Sequence, residues 1–354
     1  GPKNVLVIGS STGYGLASRI TSAFGYGAKT LGVCFEKAPT ERKTGTAGWY
    51  NTAAFHEKAK AKGLYAETIN GDAFSDEIKN ETIEKIKAEM GKVDLVIYSL
   101  ASPRRTDPET GVTYKSTLKP VGQAYTTKTY DTDKDKVHEV SLEPANDEEI
   151  LNTIKVMGGE DWEFWMHMLK EQDLLAPNAQ TVAFTYIGSE LTWPIYWEGT
   201  LGLAKADLDR ASRAINSDLA DIGGSARVAV LKAIVSQASA AIPVVPLYVA
   251  LLFKVMKEQG LHEDCVSHIY RLFSTQLAPG AEQRLDDEGR IRVDDQELLD
   301  SVQQAVKERW PQVTTDNLTQ LGDLAGFRED FLRIFGFGIA GVDYAAEVDP
   351  LSIG

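Results

Sequence analysis

Along residues 1–100, short apolar runs alternate with segments of helical periodicity. The apolar runs predict four strands, at residues 4–8, 30–35, 64–70 and 93–100. The periodic segments predict helices at residues 13–24 and 76–90, and each connection is expected to be a βαβ crossover. This order of elements is typical of an α/β fold in which helices cover a parallel sheet.

The periodicity is lost between residues 102 and 149, where polar turn residues dominate. A stretch of this length is predicted to be a long excursion over the surface. The elements predicted beyond it are helices at 148–157, 161–172 and 201–221, strands at 181–187 and 226–234, further helices at 247–259, 262–273, 295–308 and 329–335, and a small hairpin at 284–293. The two later strands are expected to extend the first sheet.

The first predicted strand ends in a glycine-rich turn that leads into the first predicted helix, Gly9-Ser10-Ser11-Thr12-Gly13-Tyr14-Gly15. Glycines allow a sharp turn and a close approach to a pyrophosphate, and the helix N-terminus directs free N–H groups at the anion. A purely structural turn gives the same spacing, but its place at the first strand-to-helix turn favours a dinucleotide site. The predicted fold class is therefore α/β, a Rossmann-type doubly wound parallel sheet with long insertions and a mainly helical C-terminal extension.

The chain length of 354 residues exceeds the usual size of one domain, yet an α/β domain with insertions can contain it. We therefore expect a single domain over residues 1–354. Its core is predicted at about 1–100 and 180–260, its insertion at about 102–180 and its helical part at about 260–354.

Two acidic residues follow the second and third predicted strands. Glu36, after Phe35, stands where such folds place the acid that accepts hydrogen bonds from the adenosine ribose. Its charge would repel the extra phosphate of NADPH, so NADH is the predicted cofactor. Asp72 could reach the adenine edge, or it could be an ordinary turn residue.

Two tyrosine–lysine pairs compete as the catalytic pair of a reductase. Tyr130 and Lys134 have the tight spacing of ordinary short-chain dehydrogenases, but they lie in the polar stretch, with no strand predicted before them and no helix after. Tyr196 and Lys205 follow the strand at 181–187. Nine residues turn about 900° on one helix, so Tyr196 must precede the helix and Lys205 lie in its second turn. A nearby ammonium would favour the ionised tyrosine.

Charge and composition narrow the partners. There are 37 Lys and Arg against 51 Asp and Glu, a formal net charge of -14, so the chain is expected to avoid nucleic acid. Arg104-Arg105 is a candidate basic patch for an anionic thioester, or a solvated pair.

Two cysteines and five histidines form no metal-binding pattern, and no signal peptide or membrane span is evident, so a cytoplasmic protein without a metal is expected. The apolar run at 242–253 would line an acyl channel or pack in the core.

At this point the sequence resembles the single-chain trans-2-enoyl-CoA and enoyl-ACP reductases of the FabV/TER type. The resemblance extends over nearly the whole chain. It rests on the tyrosine–lysine pair and on the segments Gly9 to Tyr14, Gly45 to Asn51, Asn70 to Ser75, Tyr98 to Arg105, Met157 to Trp162, Phe335 to Phe337 and Gly341 to Tyr344. Members of the family carry a further segment before the first strand, and Ser10 and Ser236 stand at positions that vary in the family.

The resemblance implies NADH-dependent reduction of the 2,3-double bond of an enoyl-CoA or enoyl-ACP, in fatty acid synthesis or related acyl metabolism. It implies Tyr196 as proton donor, Lys205 as its partner and Tyr186 as a substrate-binding residue. The residues implied to hold NADH are Gly9, Ser10, Ser11, Thr12, Gly13, Tyr14, Phe35, Glu36, Asp72, Ala73, Leu100, Ala101, Lys205, Ile234, Val235 and Ser236. We expect a monomer. The alternatives are a carbonyl-reducing short-chain dehydrogenase, which would need a tight Tyr-x3-Lys on the later helix, and a redox sensor that binds dinucleotide without turnover.

Overall fold

A computed structural model describes residues 1–352. Its strands are β1 (Asn4–Ile8), β2 (Lys29–Cys34), β3 (Ala66–Asn70), β4 (Val93–Tyr98), β5 (Arg104–Thr106), β6 (Thr113–Lys115), β7 (Tyr125–Asp131), β8 (Lys136–Leu142), β9 (Leu175–Thr185), β10 (Ser225–Val230) and β11 (Ile291–Arg292). Seven of them form a parallel central sheet in the order β11-β10-β9-β4-β1-β2-β3. The strand order reverses beside β1, as in a doubly wound sheet, so the predicted fold class is confirmed.

Twelve α-helices surround the sheet or extend beyond it. They are α1 (Gly13–Ile20), α2 (Ala47–Ala61), α3 (Asp76–Lys85), α4 (Asp147–Met157), α5 (Glu160–Glu171), α6 (Thr200–Asp218), α7 (Gln237–Ala240), α8 (Val245–Glu258), α9 (Cys265–Leu272), α10 (Asp300–Arg309), α11 (Leu318–Leu321) and α12 (Leu324–Arg333), within residues 1–352. Wider helical turns at Thr21–Gly25, Ile86–Met90 and Phe273–Leu277 continue three of them. None of these helices combines the length and apolar character needed to cross a bilayer.

The first strand shows why the sheet is covered on both faces. Leu6 and Ile8 pack into one apolar cluster with Trp162 and Trp165 of α5, whereas Val5 and Val7 pack into a second cluster that contains residues of α1 and α9. Successive side chains of a strand point to opposite faces. An uninterrupted apolar run therefore marks a strand that is buried on both sides.

The polar stretch at residues 102–149, for which the sequence predicts a long surface excursion without strands, contains regular structure. It contains two antiparallel hairpins, one formed by β5 with β6 and the other by β7 with β8. Most of their side chains are polar and exposed or half-buried, so no apolar alternation marks these strands in the sequence.

The second hairpin is fixed to the C-terminal part. Lys128 Nζ donates to the backbone oxygens of Pro311 at 2.7 Å and Val313 at 3.0 Å.

At the hairpin predicted for 284–293, a single antiparallel bridge joins Leu285 to Ile291, and β11 then pairs in parallel with β10. The expected division into core, insertion and helical part stays a prediction.

A buried ion pair ties α3 to α5. Lys79 Nζ donates to Asp161 Oδ1 at 2.7 Å and to the backbone oxygens of Ala73 and Phe74 at 3.0 and 2.8 Å. Tyr98, at the end of β4, donates its hydroxyl to Asp161 Oδ2 at 3.0 Å. Both charges are almost fully buried, and burial raises the pKa of Asp161 while Lys79 opposes that rise. The pair thereby holds the turn after β3 against the core.

Candidate active site

A deep cleft opens at the carboxyl ends of the parallel strands. Its volume is about 1140 Å³, and residues that follow β1, β2, β3, β4, β9 and β10 line it. Ligands of open α/β sheets bind at this edge, beside the point where the strand order reverses. The cleft therefore lies where the glycine turn is predicted to bind a dinucleotide.

The glycine turn packs so closely against neighbouring backbone that two of its positions have no room for a side chain. Gly9 has φ +85°, and a Cβ there would lie 2.2 Å from the backbone oxygen of Ser99. At Gly15 a Cβ would lie 1.8 Å from the backbone oxygen of Gly9. Thr12, the N-cap of α1, makes no side-chain capping bond, and the first turn contains no acidic residue. The N–H groups of the helix start are thus available to an anion in the cleft.

Glu36 is held in place after the end of β2 by two hydroxyl groups. Ser11 donates to Oε1 at 2.5 Å and Thr46, the N-cap of α2, donates to Oε2. A Cβ at Gly48 would lie 2.0 Å from Oε1, so only glycine leaves room for this carboxylate beside the start of α2. The positive end of the α2 dipole favours a negative charge here.

Five further predicted residues line the same half of the cleft, namely Phe35, Asp72, Ala73, Leu100 and Ala101. The Phe35 side chain is 74% exposed and lines the cleft, as a flat apolar surface that an adenine ring could cover. Asp72 also lines the cleft, and its Oδ1 accepts from the N–H of Phe74 at 3.0 Å, so it has the role of a turn residue in addition. Leu100 and Ala101 follow β4 along the cleft wall.

Tyr196 and Tyr186 form the other end of the cleft. Their rings meet edge to face, with centroids 5.0 Å apart and an interplanar angle of 80°. Both side chains line the cleft. Burial raises the pKa of Tyr196, so its hydroxyl stays protonated in neutral solution. Desolvation is the only cause of this shift, so the expected effect of a lysine on Tyr196 stays a prediction.

Lys205 lies in the second turn of α6, as predicted, and Tyr196 precedes that helix. Burial lowers the pKa of Lys205 to about 8. Within residues 1–352 no hydrogen bond joins Lys205 to Tyr196, and Lys205 is not among the residues that line the cleft. The structure therefore places the pair on two adjoining segments but does not connect the side chains directly.

Two other predicted cofactor residues also lie outside the cleft wall. Ser10 is fully buried, and its hydroxyl donates to the backbone oxygen of Val33 at 3.2 Å, so its side chain supports the turn instead of lining the cleft. Val235 lines a neighbouring cavity, whereas Ile234 and Ser236 line both. Such one-residue alternation is expected because adjacent side chains in extended segments point in opposite directions.

The competing pair, Tyr130 and Lys134, does not line the cleft. The Tyr130 hydroxyl donates to Asp135 Oδ1 at 2.9 Å, and Arg328 donates to the same hydroxyl at 3.1 Å. Tyr130 belongs to strand β7, contrary to the loop that the sequence predicts, and Lys134 is in the exposed turn of the hairpin. The tight pair is therefore a structural feature of that hairpin.

The two arginines of the candidate basic patch differ in their exposure. Arg104 is exposed and lines the cleft. Arg105 is 1% exposed and donates to Glu160 Oε2 at 2.7 Å, so it cannot form a surface patch. Of the apolar run at 242–253, Ile242 and Val245 line the cleft, while most of the rest packs in the core.

Two groups at the tyrosine end were not predicted. Lys232 lines the cleft, and its Nζ donates to the backbone oxygens of Ala233 at 2.9 Å and Glu263 at 3.1 Å. Its position inside the apolar run at 226–234 is unusual for a lysine, so the sequence could have indicated a functional role for Lys232. Glu297 lies 2.9 Å from the Tyr186 hydroxyl through its Oε1. No sequence pattern indicates this position, because only the fold brings Glu297 there.

The sheet, the glycine turn and the acid after the second strand define a Rossmann-type oxidoreductase that binds a nicotinamide dinucleotide. The chain belongs to the trans-2-enoyl-CoA reductase family. Residues 43–278 match the region described as the catalytic region of that family, and residues 1–41 match its NAD(P)H-binding domain. Residues 285–348 match a segment described as an enoyl reductase FAD-binding domain. The resemblance seen in the sequence is thus confirmed.

Individual relatives agree with the family. The chain is 65% identical to an enoyl-acyl-carrier-protein reductase (NADH) from Pseudoalteromonas atlantica, over 99% of this chain and 89% of the relative. It is 59% identical to the corresponding FabV enzyme of Aeromonas salmonicida, over 99% and 88%. The trans-2-enoyl-CoA reductase of Treponema denticola, solved in complex with NAD, superposes with a TM-score of 0.94 at 53% identity, over 98% of this chain and 87% of that one.

Proposed function

We propose that this protein reduces the 2,3-double bond of trans-2-enoyl thioesters, using NADH. The observation that carries the proposal is the continuous cleft in which the glycine turn and Glu36 form one end and Tyr186 with Tyr196 form the other. Both ends fit one extended dinucleotide with a substrate beside it. The family membership supports the same reaction, since its members are described as enoyl reductases.

The chain's own residues explain the choice of NADH. Glu36 accepts from Ser11 and Thr46, and it lines the cleft where an adenosine ribose would lie. A carboxylate can accept hydrogen bonds from ribose hydroxyls, but it repels a phosphate at the same position. We infer that NADH supports faster turnover than NADPH.

NADH bound in the cleft would supply a hydride to the β-carbon of the thioester. The carbonyl oxygen of the thioester then gains negative charge as an enolate, which a hydroxyl donor must stabilise. The α-carbon takes up one proton, which derives from the solvent, and the carbonyl group is restored in the saturated thioester. Tyr196 is suited to this role of hydroxyl donor because its hydroxyl lines the cleft, has no hydrogen-bond partner within residues 1–352 and stays protonated. We propose Tyr196 as that donor, Tyr186 as a substrate contact and Lys205 as a residue that acts on the ribose and Tyr196.

The acyl group would extend along Ile242 and Val245, which line the cleft together with the two tyrosines. An exposed Arg104 at the cleft provides a cation for an anionic carrier. Relatives are named for both enoyl-CoA and enoyl-acyl-carrier-protein substrates. We propose that this chain accepts thioesters of both carriers, and that it acts as a monomer in the cytoplasm.

The test is to mix the purified protein with NADH and crotonyl-CoA and to follow the loss of NADH absorbance. Saturated butyryl-CoA should form in equal amount to NADH consumed. A matched reaction with acetoacetyl-CoA examines carbonyl reduction. Turnover of acetoacetyl-CoA without turnover of crotonyl-CoA would replace the enoyl reductase with the carbonyl-reducing alternative.

A further inference from the structure

A buried carboxyl group lies behind the tyrosine end of the cleft. Glu297 is 1% exposed. Its Oε1 lies 2.9 Å from the Tyr186 hydroxyl and 2.8 Å from the Tyr248 hydroxyl, and its Oε2 accepts from the N–H of Ala233 at 2.7 Å. One carboxyl group therefore connects the segment after β9, the segment after β10 and helix α8.

The hydrogen-bond donors around Glu297 restrict where a proton can lie. Gln303 Nε2 donates to the Tyr248 hydroxyl at 3.1 Å, which directs the proton of Tyr248 toward Glu297. The N–H of Ala233 can only donate, so Oε2 must accept. A proton on the carboxyl group would then lie on Oε1 and point at Tyr186.

The protonation state of Glu297 therefore sets the direction of the Tyr186 hydroxyl. If the group is ionised, Tyr186 gives its only proton to the carboxylate and can act only as an acceptor in the cleft. If the group is neutral, it donates to the Tyr186 oxygen, and the proton of Tyr186 is free to point into the cleft. Only the second arrangement makes Tyr186 a donor to a substrate.

The surroundings of Glu297 favour the neutral form. The titratable groups that face it are Tyr14, Tyr186, Tyr248 and Lys232. Lys232 Nζ bonds to two backbone oxygens instead of to Glu297, and no ion pair within residues 1–352 includes Glu297. A buried carboxylate without an ion-pair partner is costly. Accordingly, burial raises the pKa of Glu297 against the opposing effects of Ala233 and Lys232.

We propose that Glu297 is a positioning residue: as a neutral carboxylic acid it donates to Tyr186, so that the Tyr186 hydroxyl joins Tyr196 as a second donor to the thioester oxygen. The hydrogen bonds then run in one direction from Gln303 through Tyr248 and Glu297 to Tyr186, and such chains strengthen each bond. Buried acids that stay neutral near pH 7 serve as donors in other active sites. The inference rests on the proposed function, because it takes the substrate to be a thioester.

The first test measures the proton itself and needs no substrate. Infrared spectra of the resting wild-type enzyme in neutral buffer should contain the carbonyl band of a protonated carboxyl group, which Glu297→Gln removes. Glu57→Gln is the matched control, because Glu57 is 75% exposed and its removal should leave that band in place. A wild-type spectrum without the band would overturn the proposal, whatever the enzyme reduces.

The second test uses turnover of crotonyl-CoA. Glutamine can accept from Ala233 through its oxygen and donate to Tyr186 through its nitrogen, while Tyr248 turns its own proton away from that nitrogen toward Ser189. Glu297→Gln should therefore retain kcat within about fivefold. Glu297→Met removes the donor, and kcat should fall by about 10- to 100-fold with little change in NADH binding. In a Tyr186→Phe background the same Glu297→Met change should cost less than about twofold, because the effect acts through Tyr186.

Four outcomes separate the possible failures. Equal losses in the Gln and Met variants would overturn the positioning role, and so would a Met effect that is undiminished by Tyr186→Phe. If Glu297→Met does not fold, the infrared band and the Gln variant still decide. A wild-type enzyme that is inactive on crotonyl-CoA would contradict the proposed function and leave the infrared result standing.

Discussion

The N–H of Gly202 donates to the carbonyl oxygen of Tyr196 at 2.9 Å, which fastens the turn carrying the tyrosine onto the first turn of α6. A Cβ at Gly202 would lie 1.6 Å from the backbone oxygen of Trp197. The close contact explains how Tyr196 and Lys205, nine positions apart, come from two adjoining elements instead of one helix. The position of Tyr196 therefore depends on a residue without a side chain.

Gly202→Ala should displace this turn. The new methyl group meets backbone, which cannot rotate away, so we expect a loss of about 1–3 kcal/mol in the free energy of unfolding. The turnover should fall by at least about 10-fold, since a small misplacement of a reacting group has this effect. Urea denaturation and rates on crotonyl-CoA measure both. Gly25→Ala is the control, because its Cβ would meet only a methyl group at 3.9 Å. Equal behaviour of the two variants would contradict the role of Gly202.

Tyr196→Phe removes one hydroxyl and keeps the ring that packs on Tyr186. We expect kcat to fall by ~10²-fold or more, because an oxyanion loses its donor, while NADH binding persists. Tyr130→Phe is the matched control. It loses bonds to Asp135 and Arg328 outside the cleft, so turnover should remain near the wild-type value. A larger loss of turnover from Tyr130→Phe than from Tyr196→Phe would favour the conventional short-chain dehydrogenase arrangement.

Glu36→Ala should narrow the preference for NADH over NADPH. The change removes the charge that repels a ribose phosphate, and it also frees the hydroxyls of Ser11 and Thr46 to donate to that phosphate. The measurement is kcat/KM for both cofactors in the wild type and the variant. Glu41→Ala, an exposed residue a few positions later, controls for the general loss of a negative charge. An unchanged ratio in Glu36→Ala would remove Glu36 from its assigned role.

The central sheet was predictable because its strands are buried on both faces. Val5, Leu6, Val7 and Ile8 leave no polar alternation, and such a run between turn residues has few other interpretations. The hairpins of residues 102–149 were not predictable, because strands such as β7 lie largely exposed or half-buried and owe their position to contacts with distant residues. A local pattern of apolar residues indicates which positions are buried. Strands that lie on the surface lack such a pattern, so the sequence does not predict them.

The residues of the candidate site also include some that the sequence predicts and some that it does not. The glycine turn, Glu36 and Tyr196 lie at the ends of recognisable elements, and their positions follow from the chain locally. Glu297 is brought to Tyr186 across a sequence separation of 111 residues, by the packing of α8 and the segment before α10. A carboxyl group whose role depends on such packing carries no sequence pattern of its own.

The Lys79–Asp161 pair makes a prediction about stability. Lys79→Met leaves Asp161 buried without its partner and removes two hydrogen bonds to the turn after β3. The free energy of unfolding should therefore fall by about 3–5 kcal/mol. Lys87→Met breaks an exposed pair with Glu84 and should cost less than about 1 kcal/mol. Chemical denaturation of both variants gives the comparison. Similar losses would mean that the buried pair contributes no more than a surface pair.

Lys205 provides the last prediction, since its amine has no protein partner within residues 1–352 and its pKa is lowered by burial to about 8. Lys205 is half-buried, and its amine would gain a hydrogen-bond partner if NADH brought a ribose hydroxyl to it. Lys205→Met should therefore weaken NADH binding and also lower kcat, by about 10-fold or more each.

The pH dependence follows from the same shift. The charged form is present below the lowered pKa, so wild-type kcat/KM for NADH should decline as the pH rises through about 8. Lys205→Met should lack this decline, and Lys205→Arg should also lack it because the guanidinium stays charged, although its planar shape restores only part of the rate. Lys58→Met is the matched control, because the Lys58 side chain is 72% exposed and its removal should leave both the NADH affinity and the alkaline decline unchanged. Calorimetric titration with NADH and steady-state rates across pH decide the matter: wild-type binding and an unchanged alkaline decline in Lys205→Met would assign the residue to the helix surface alone.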